Sequence, residues 1–183
     1  MTALVRAASV ADADPIAAIY APYVTDGVAS FEAEPPTAAD FEARMTARPR
    51  LPWLVAEESG AVVGFAYAGV HRTRAAYRWS ADVSVYLASD ARGRGVGRAL
   101  YERLIPEVRA LGYVCAFAGI TLPNPASVGL HEAVGFTPVG VFRNVGYKFG
   151  AWRDVGWWQL RLCDPPAAPA EPREWHPSEW ARR

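Results

Sequence analysis

The stretch that decides the fold reads Ser84-Val85-Tyr86-Leu87, Ala88-Ser89-Asp90-Ala91, Arg92-Gly93-Arg94-Gly95-Val96-Gly97, then Arg98-Ala99-Leu100-Tyr101 and on to Leu111. A β-branched and aromatic strand enters a basic, glycine-punctuated turn, and the turn opens an amphipathic helix. Without side chains at Gly93, Gly95 and Gly97, backbone can pass close to a ligand and adopt φ > 0. The helix start presents unpaired N–H groups and the positive end of its dipole, and Arg92, Arg94 and Arg98 add full charge. The combination reads as a pyrophosphate cradle. It is not a P-loop, because the Gly-Lys-Ser/Thr ending is absent. It is not the dinucleotide fingerprint either, because position 98 is Arg and no acid closes a second strand at the expected distance.

Outward from the cradle, the chain is 183 residues long, 51% hydrophobic and 21% charged, with zero formal net charge. These values suit one soluble globular domain with a sizeable core. The neutral balance argues against nucleic acid as a partner, and the basic residues gather locally at the glycine loop and at Arg72, Arg74 and Arg78. No apolar run is long enough for a membrane span, and the N-terminus lacks the charged and apolar regions of a signal peptide. Cys115 and Cys163 are too few for a disulfide framework or a metal cage. The expectation is a cytoplasmic protein without metal or membrane.

Ala3 to Ala8 reads as a short strand, and Asp12, Asp14 and Pro15 open a helix that carries Ile16, Ile19, Tyr20 and Tyr23 and ends at Gly27. Thr37 with Asp40 forms a capping-box pattern for a second helix, with Phe41 and Met45 on its apolar face. Trp53 to Glu57 and Ala61 to Val70 form a hairpin about Ser59-Gly60. A basic loop from His71 to Ala76 leads into a long strand, Tyr77 to Leu87, whose alternation slips around Asp82, Val83 and Ser84 and reads as a bulge or a splay. After the cradle helix come a strand at Tyr113 to Ala118, a helix from Asn124-Pro125 to Ala133, and strands at Val139 to Phe149 and Val155 to Leu162 about a turn at residues 150–154. The division is a domain over 1–163 and a proline-rich tail over 164–183, mobile or draped over a surface. The order argues an α/β (α+β) fold: a mixed sheet of about seven strands with helices on both faces.

Arg-Gly-x-Gly-x-Gly after a Val-Tyr-Leu strand resembles the acyl-coenzyme A motif of the GNAT acetyltransferase superfamily. Further words narrow the resemblance to its phosphinothricin acetyltransferase branch. They include Ser30-Phe31-x-x-Glu34-Pro35-x-Thr37, Pro52-Trp53-Leu54-Val55-Ala56-Glu57, Leu122-Pro123-Asn124, Leu130-His131-Glu132-Ala133 and Gly146-Tyr147-Lys148-x-Gly150-x-Trp152-x-Asp154. The resemblance implies the GNAT fold, splayed at the cofactor site, and a homodimer, for which the Trp-rich last strand offers apolar surface. It implies acetyl-CoA as cosubstrate and a small α-amino acid analogue as acceptor: phosphinothricin, methionine sulfoximine or methionine sulfone, a detoxification chemistry. Acetyl would pass by direct attack in a ternary complex. Cofactor contacts map onto Val85, Tyr86 and Leu87, onto Arg92, Gly93, Arg94, Gly95, Val96, Gly97 and Arg98, and onto Asn124. Acceptor contacts map onto Phe31, Arg72, Thr73 and Arg74, and onto Asp82, Val83 and Ser84.

The chemistry falls to two residues. Asp82 can take a proton from an incoming ammonium, and His131 matches the family's catalytic His, as an acid for the thiolate or a base for the amine. The family's carboxylate is a Glu. Asp82 is one methylene shorter, about 1.5 Å less reach, so contact with the amine becomes water-bridged or the acceptor sits deeper. Arg72 and Arg74 suit bidentate recognition of carboxylate, phosphinate or sulfone oxygens, and argue against a polyamine acceptor. Trp152, Trp157 and Trp158 read as core or subunit-interface residues. The alternatives are the same fold acting on a different small amine, and a non-catalytic acyl-CoA-binding protein.

Overall fold

The computed structural model describes residues 3–180; residues 1–2 and 181–183, the outer ends of the expected domain and tail, lie outside the described residues. Seven strands form one sheet: β1 (Leu4–Ala7), β2 (Trp53–Glu58), β3 (Ala61–Val70), β4 (Ser80–Leu87), β5 (Cys115–Leu122), β6 (Thr137–Lys148) and β7 (Ala151–Arg161). Their spatial order is β1-β2-β3-β4-β5-β7-β6. Every neighbouring pair is antiparallel except β4–β5. That parallel pair needs a crossover, which the cradle helix α3 (Val96–Ala110) supplies. Helices α1 (Ala13–Thr25), α2 (Ala38–Thr46) and α4 (Pro125–Ala133) complete the layers, and a short α5 (Pro177–Trp180) follows.

Local chemistry sets the element ends. The Thr37 hydroxyl accepts the Asp40 N–H at 3.2 Å while the Asp40 carboxylate accepts the Thr37 N–H at 2.8 Å; such a cap is worth about 1 kcal/mol. Ser59 and Gly60 both take positive φ at the β2–β3 turn. The sheet then divides two apolar layers. On one side α3 buries Leu100, Tyr101, Leu104 and Val108; on the other, Ile16, Tyr20 and Val24 of α1 and Phe41 of α2 pack on an aromatic face. Trp53 and Tyr67, paired across β2 and β3, stack at 4.2 Å between ring centroids.

Three boundaries differ from the sequence reading. Residues Ala75–Tyr77 form a 3-10 turn, so β4 begins at Ser80 rather than Tyr77. The turn between β6 and β7 is only Phe149-Gly150, both at positive φ, and Ala151 to Asp154 already belong to β7. The fifth strand occupies Cys115–Leu122, later than Tyr113 to Ala118. The slip at Asp82 to Ser84 is also resolved. The β3–β4 register runs without interruption from Gly64↔Leu87 to Val70↔Ala81, so there is no bulge on that side. The β4–β5 pairing stops after Ser80↔Cys115, Ala81↔Ala116 and Asp82↔Phe117, so the strands part at Asp82.

Beyond residue 163 the chain lies over the α3 side. The N–H of Trp175 donates to the Arg50 carbonyl and that of Arg173 to the Leu111 carbonyl, each at 2.8 Å, and the Trp175 ring is buried in the core. At the opposite sheet edge, β6 and the β7 turn expose Val139, Phe142, Val145, Tyr147 and Trp152.

Candidate active site

Parting two strands of a sheet leaves backbone polar groups without partners. Just past β4, Ala88 donates its N–H to the Val63 carbonyl on β3. Leu87 faces the other way: its N–H donates to the Tyr23 hydroxyl at 3.0 Å, and that hydroxyl donates to the Leu87 carbonyl at 2.6 Å. The period-two alternation of a strand therefore turns the N–H and C=O of Val85 and the C=O of Val83 into the gap, while the Val83 N–H falls in the last β4–β5 pairing, Asp82↔Phe117. An extended chain with amide groups can pair with this edge as a missing strand would.

The gap opens into a cleft of about 940 Å³. Its floor is Val83 to Leu87, one end is the glycine loop with the start of α3, and its far wall is Gly119 to Thr121 of β5 with α4. At the loop, Gly93 and Gly95 adopt φ of +71° and +82°, and a Cβ at either would meet only open space. Gly97 is constrained differently, since a Cβ there would come 3.0 Å from Leu130 of α4. The start of α3 thus faces the cleft with bare backbone, as an anion requires. Arg92 and Arg98 line the same end, with Arg92 stacked 4.9 Å over the Tyr23 ring and Arg98 ion-paired to Glu102 at the surface. Asn124 lines the cleft and caps α4 by accepting the Ser127 N–H at 3.1 Å. These residues fit an elongated ligand with an amide-bearing arm and a phosphate end.

Arg94, expected among the cofactor contacts, does not line the cleft. Its guanidinium is turned onto Glu58 at 2.8 Å, because the half-buried Glu58 carboxylate on β2 offers a nearer partner. Of the expected acceptor residues, Val83 and Ser84 line the main cleft. Arg72, Thr73 and Arg74 instead line a separate hollow of about 180 Å³, because the 3-10 turn folds their loop back over Val70 and Ser80. Phe31 lies apart from both, half exposed, its ring seated against Gly146 of β6. Any Cβ at position 146 would overlap it.

His131 is buried in the wall of the cleft. Its Nδ1 lies 2.7 Å from the Ser127 carbonyl, which can only accept, so Nδ1 carries the proton. Its Nε2 then accepts from the Tyr101 hydroxyl at 2.9 Å. Burial holds the imidazole below its ordinary pKa, against the Ser127 hydrogen bond, and burial pushes the Tyr101 phenol well up. Both ring nitrogens are engaged within the protein.

Asp82 sits at the vertex where the strands part, with its side chain partly exposed. Its Oδ1 lies 2.6 Å from Nδ1 of His71, a residue read from sequence only as part of a basic loop. The imidazole stacks on Phe117 at 4.4 Å and 19°. Arg72 donates to the His71 carbonyl at 2.7 Å and lies 5.3 Å over the Trp157 ring. Burial raises the Asp82 carboxyl above the ordinary value, outweighing the His71 hydrogen bond and the nearby Arg72 charge. The signal for this pair was in the chain. Once β3 and β4 are taken as a hairpin with Gly69 opposite Asp82, His71 falls just beyond the end of β3 beside it.

Known proteins share this arrangement. A GNAT acetyltransferase domain model matches residues 5–157. The phosphinothricin N-acetyltransferase of Streptomyces viridochromogenes is 40% identical over 166 residues, 90% of each chain. An L-methionine sulfoximine/L-methionine sulfone acetyltransferase of Pseudomonas aeruginosa is 38% identical, covering 92% of this chain and all of its own length. The crystal structure of a GNAT superfamily phosphinothricin acetyltransferase from Sinorhizobium meliloti, in complex with AcCoA, superposes with a TM-score of 0.88 at 39% identity over 93% of this chain and 95% of that one. With its strands parted at Asp82 and a glycine loop opening α3, the chain belongs to the GNAT acetyltransferase family.

Proposed function

We propose that the protein transfers acetyl from acetyl-CoA to the α-amino group of a small amino-acid analogue: phosphinothricin, methionine sulfoximine or methionine sulfone. The observation that carries the reading is the parted β4 edge, running from the anion-binding glycine loop directly to a carboxylate at the vertex. The names of the relatives supply the acceptor class. Acetyl-CoA, when bound, supplies a thioester acyl group. The free groups of Val85 and the Val83 carbonyl hold its pantetheine arm in extended form, and a backbone N–H of the parted edge donates to the carbonyl oxygen where charge develops. Bare N–H groups at Gly95 and Gly97, with Arg92 and Arg98, hold the pyrophosphate. Asp82 and its surroundings draw the proton from the acceptor ammonium. Arg72, whose charge reaches Asp82, brings positive charge to the vertex suited to the acceptor's acidic end, while Arg74 lies in the neighbouring hollow. His131 and Tyr101 fix the wall beside the reacting atoms.

The exposed apolar ribbon of β6 and β7 supports a homodimer, and the two free cysteines agree with a reducing cytoplasm. Among the described residues no helix is long and apolar enough to cross a membrane. The test of the function is coenzyme A release by the purified protein with acetyl-CoA and each of the three acceptors. Saturable turnover with at least one is expected. Background rates with all three, while acetyl-CoA still binds, would replace the acceptor class.

A further inference from the structure

We infer that His71 is the general base of this enzyme and that Asp82 acts through it, as the residue that holds the imidazole. The inference rests on the acetyltransferase reading above. Three observations carry it. First, the Asp82 carboxylate can only accept at Nδ1, so it fixes the tautomer with the proton on Nδ1 and the lone pair on Nε2. Second, Nε2 has no hydrogen-bond partner among the described residues, and it is not among the closed-off buried atoms. Third, the ring is clamped: it stacks on Phe117 of β5, meets Tyr77 and Trp157 edge-on at 5.9 and 6.0 Å, and its carbonyl is tied by Arg72. A base held to one tautomer and one orientation, with its second nitrogen unpaired beside the vertex residue Asp82, is the arrangement general-base catalysis needs. It also answers the short reach of Asp82. The ring carries the proton-accepting atom beyond the carboxylate, where an aspartate alone falls short.

The groups facing the ring are few. Asp82 comes from β4, Arg72 lies beside it on the loop, and Tyr77 comes from the 3-10 turn; Phe117 of β5 and Trp157 of β7 are uncharged. One anion and one cation flank the imidazole, and the anion makes the direct contact.

The step balances as follows. The acceptor ammonium gives one proton to Nε2 of His71, leaving a neutral amine and an imidazolium stabilised by Asp82. The amine lone pair forms the C–N bond to the thioester carbonyl carbon. The C–S bond breaks with its electron pair on sulfur, and the second nitrogen proton passes to that thiolate. The imidazolium releases its proton to water. The products are an acetamide, a thiol and one proton.

The test uses the intact protein and three variants. His71→Phe keeps the ring stack on Phe117 and removes both nitrogens, so the fold is retained. It is expected to lower kcat by about 10²–10⁴-fold and to change the pH profile of kcat/KM, with acetyl-CoA affinity within twofold of wild type. His71→Gln is expected to recover no more than a small part of the rate. Asp82→Asn is expected to lower kcat less than His71→Phe does. Nitrogen-15 NMR of the free enzyme is expected to show His71 protonated on Nδ1 at neutral pH. A His71→Phe enzyme that keeps its rate and pH profile, while Asp82→Asn loses both, would make Asp82 the base and overturn the inference. So would a neutral His71 carrying its only ring proton on Nε2 in the NMR experiment. If no acceptor is turned over by the wild type, the acceptor reading fails, and the NMR tautomer still decides for or against the dyad.

Discussion

The cleft has two halves that are built differently. The donor half has one continuous stretch, Val83 to Arg98, as its floor and loop end, folded as strand, loop and helix start and presenting mostly backbone, against a far wall from β5 and α4. The proposed acceptor side, beyond the vertex, draws on pieces distant in the chain: His71 and Arg72 beyond β3, Asp82 on β4 and Trp157 on β7, with Phe31 after α1 lying apart from them. On the proposed function, the first takes a constant molecule with groups every residue possesses. The second meets the variable molecule with side chains, so its chemistry can change without disturbing the first. This division predicts that substitutions should separate cleanly into donor and acceptor effects.

The strongest attempt to break that separation is Asp82→Ala. Removing the carboxylate should lower kcat/KM for the acceptor by about 10²–10⁴-fold while the dissociation constant for acetyl-CoA, read by calorimetry, changes less than twofold. A parallel loss of donor affinity would mean that the vertex organises both halves. The mirror experiment is Gly95→Val. Gly95 sits at φ +82°, where a β-branched residue costs about 1–3 kcal/mol, and its side chain would enter the open space above the helix start. Acetyl-CoA affinity should fall on the order of tenfold or more. The acceptor KM at saturating acetyl-CoA should stay near wild type.

The two halves also differed in how readable they were. The donor half was legible because its determinants are local: three glycines and three arginines within seven positions, bracketed by a strand pattern and a helix pattern. The capping box at Thr37 and Asp40 was legible for the same reason. The His71–Asp82 contact was not, because it depends on the β3–β4 register and on where β4 begins, and the 3-10 turn at Ala75–Tyr77 moved that start by three residues. Arg94 misled because a charge in a basic loop does not announce its partner; Glu58 lies 36 residues away on β2. His131 was read as a catalytic acid or base; the structure places it in the cleft wall. Its engagement at both nitrogens depends on Tyr101, a core residue of α3 that sequence marks only as apolar.

A smaller effect sharpens the acceptor side. Phe31 rests where Gly146 leaves room, so Gly146→Val should push the ring out of place without touching the donor cleft. One misfitted apolar contact in a small pocket is worth about 1–3 kcal/mol. The acceptor KM should rise between severalfold and a hundredfold, kcat should change less, and acetyl-CoA affinity should be unchanged. Equal kinetics in the variant would remove Phe31 from the acceptor site.

The smallest effect separates site from scaffold through two carboxylates governed by the same forces. At Asp12, burial pushes the carboxyl up, but hydrogen bonds from Arg6 at 2.7 and 2.9 Å and from Ser9 outweigh it and hold the group below its ordinary range. At Asp82, burial wins over the His71 hydrogen bond and the nearby Arg72 charge, and the group is raised. The signs for stability follow from linkage. Asp12 contributes stability that is present above the unfolded value near ~3.9 and is lost as pH falls through its depressed folded value. Asp82 contributes a penalty that is present above its raised folded value and is relieved as pH falls through it. Asp82→Asn removes the buried charge and keeps an oxygen to accept from His71. At pH 7 it should raise the melting temperature by a few degrees, on the order of 1 kcal/mol or less, and the gain should shrink as the pH is taken down toward the carboxylate range. Asp12→Asn should lower the melting temperature at pH 7, and its deficit should also shrink in acid. A melting temperature that falls in both variants at pH 7 would place Asp82 with the scaffold, held for stability rather than for a proton.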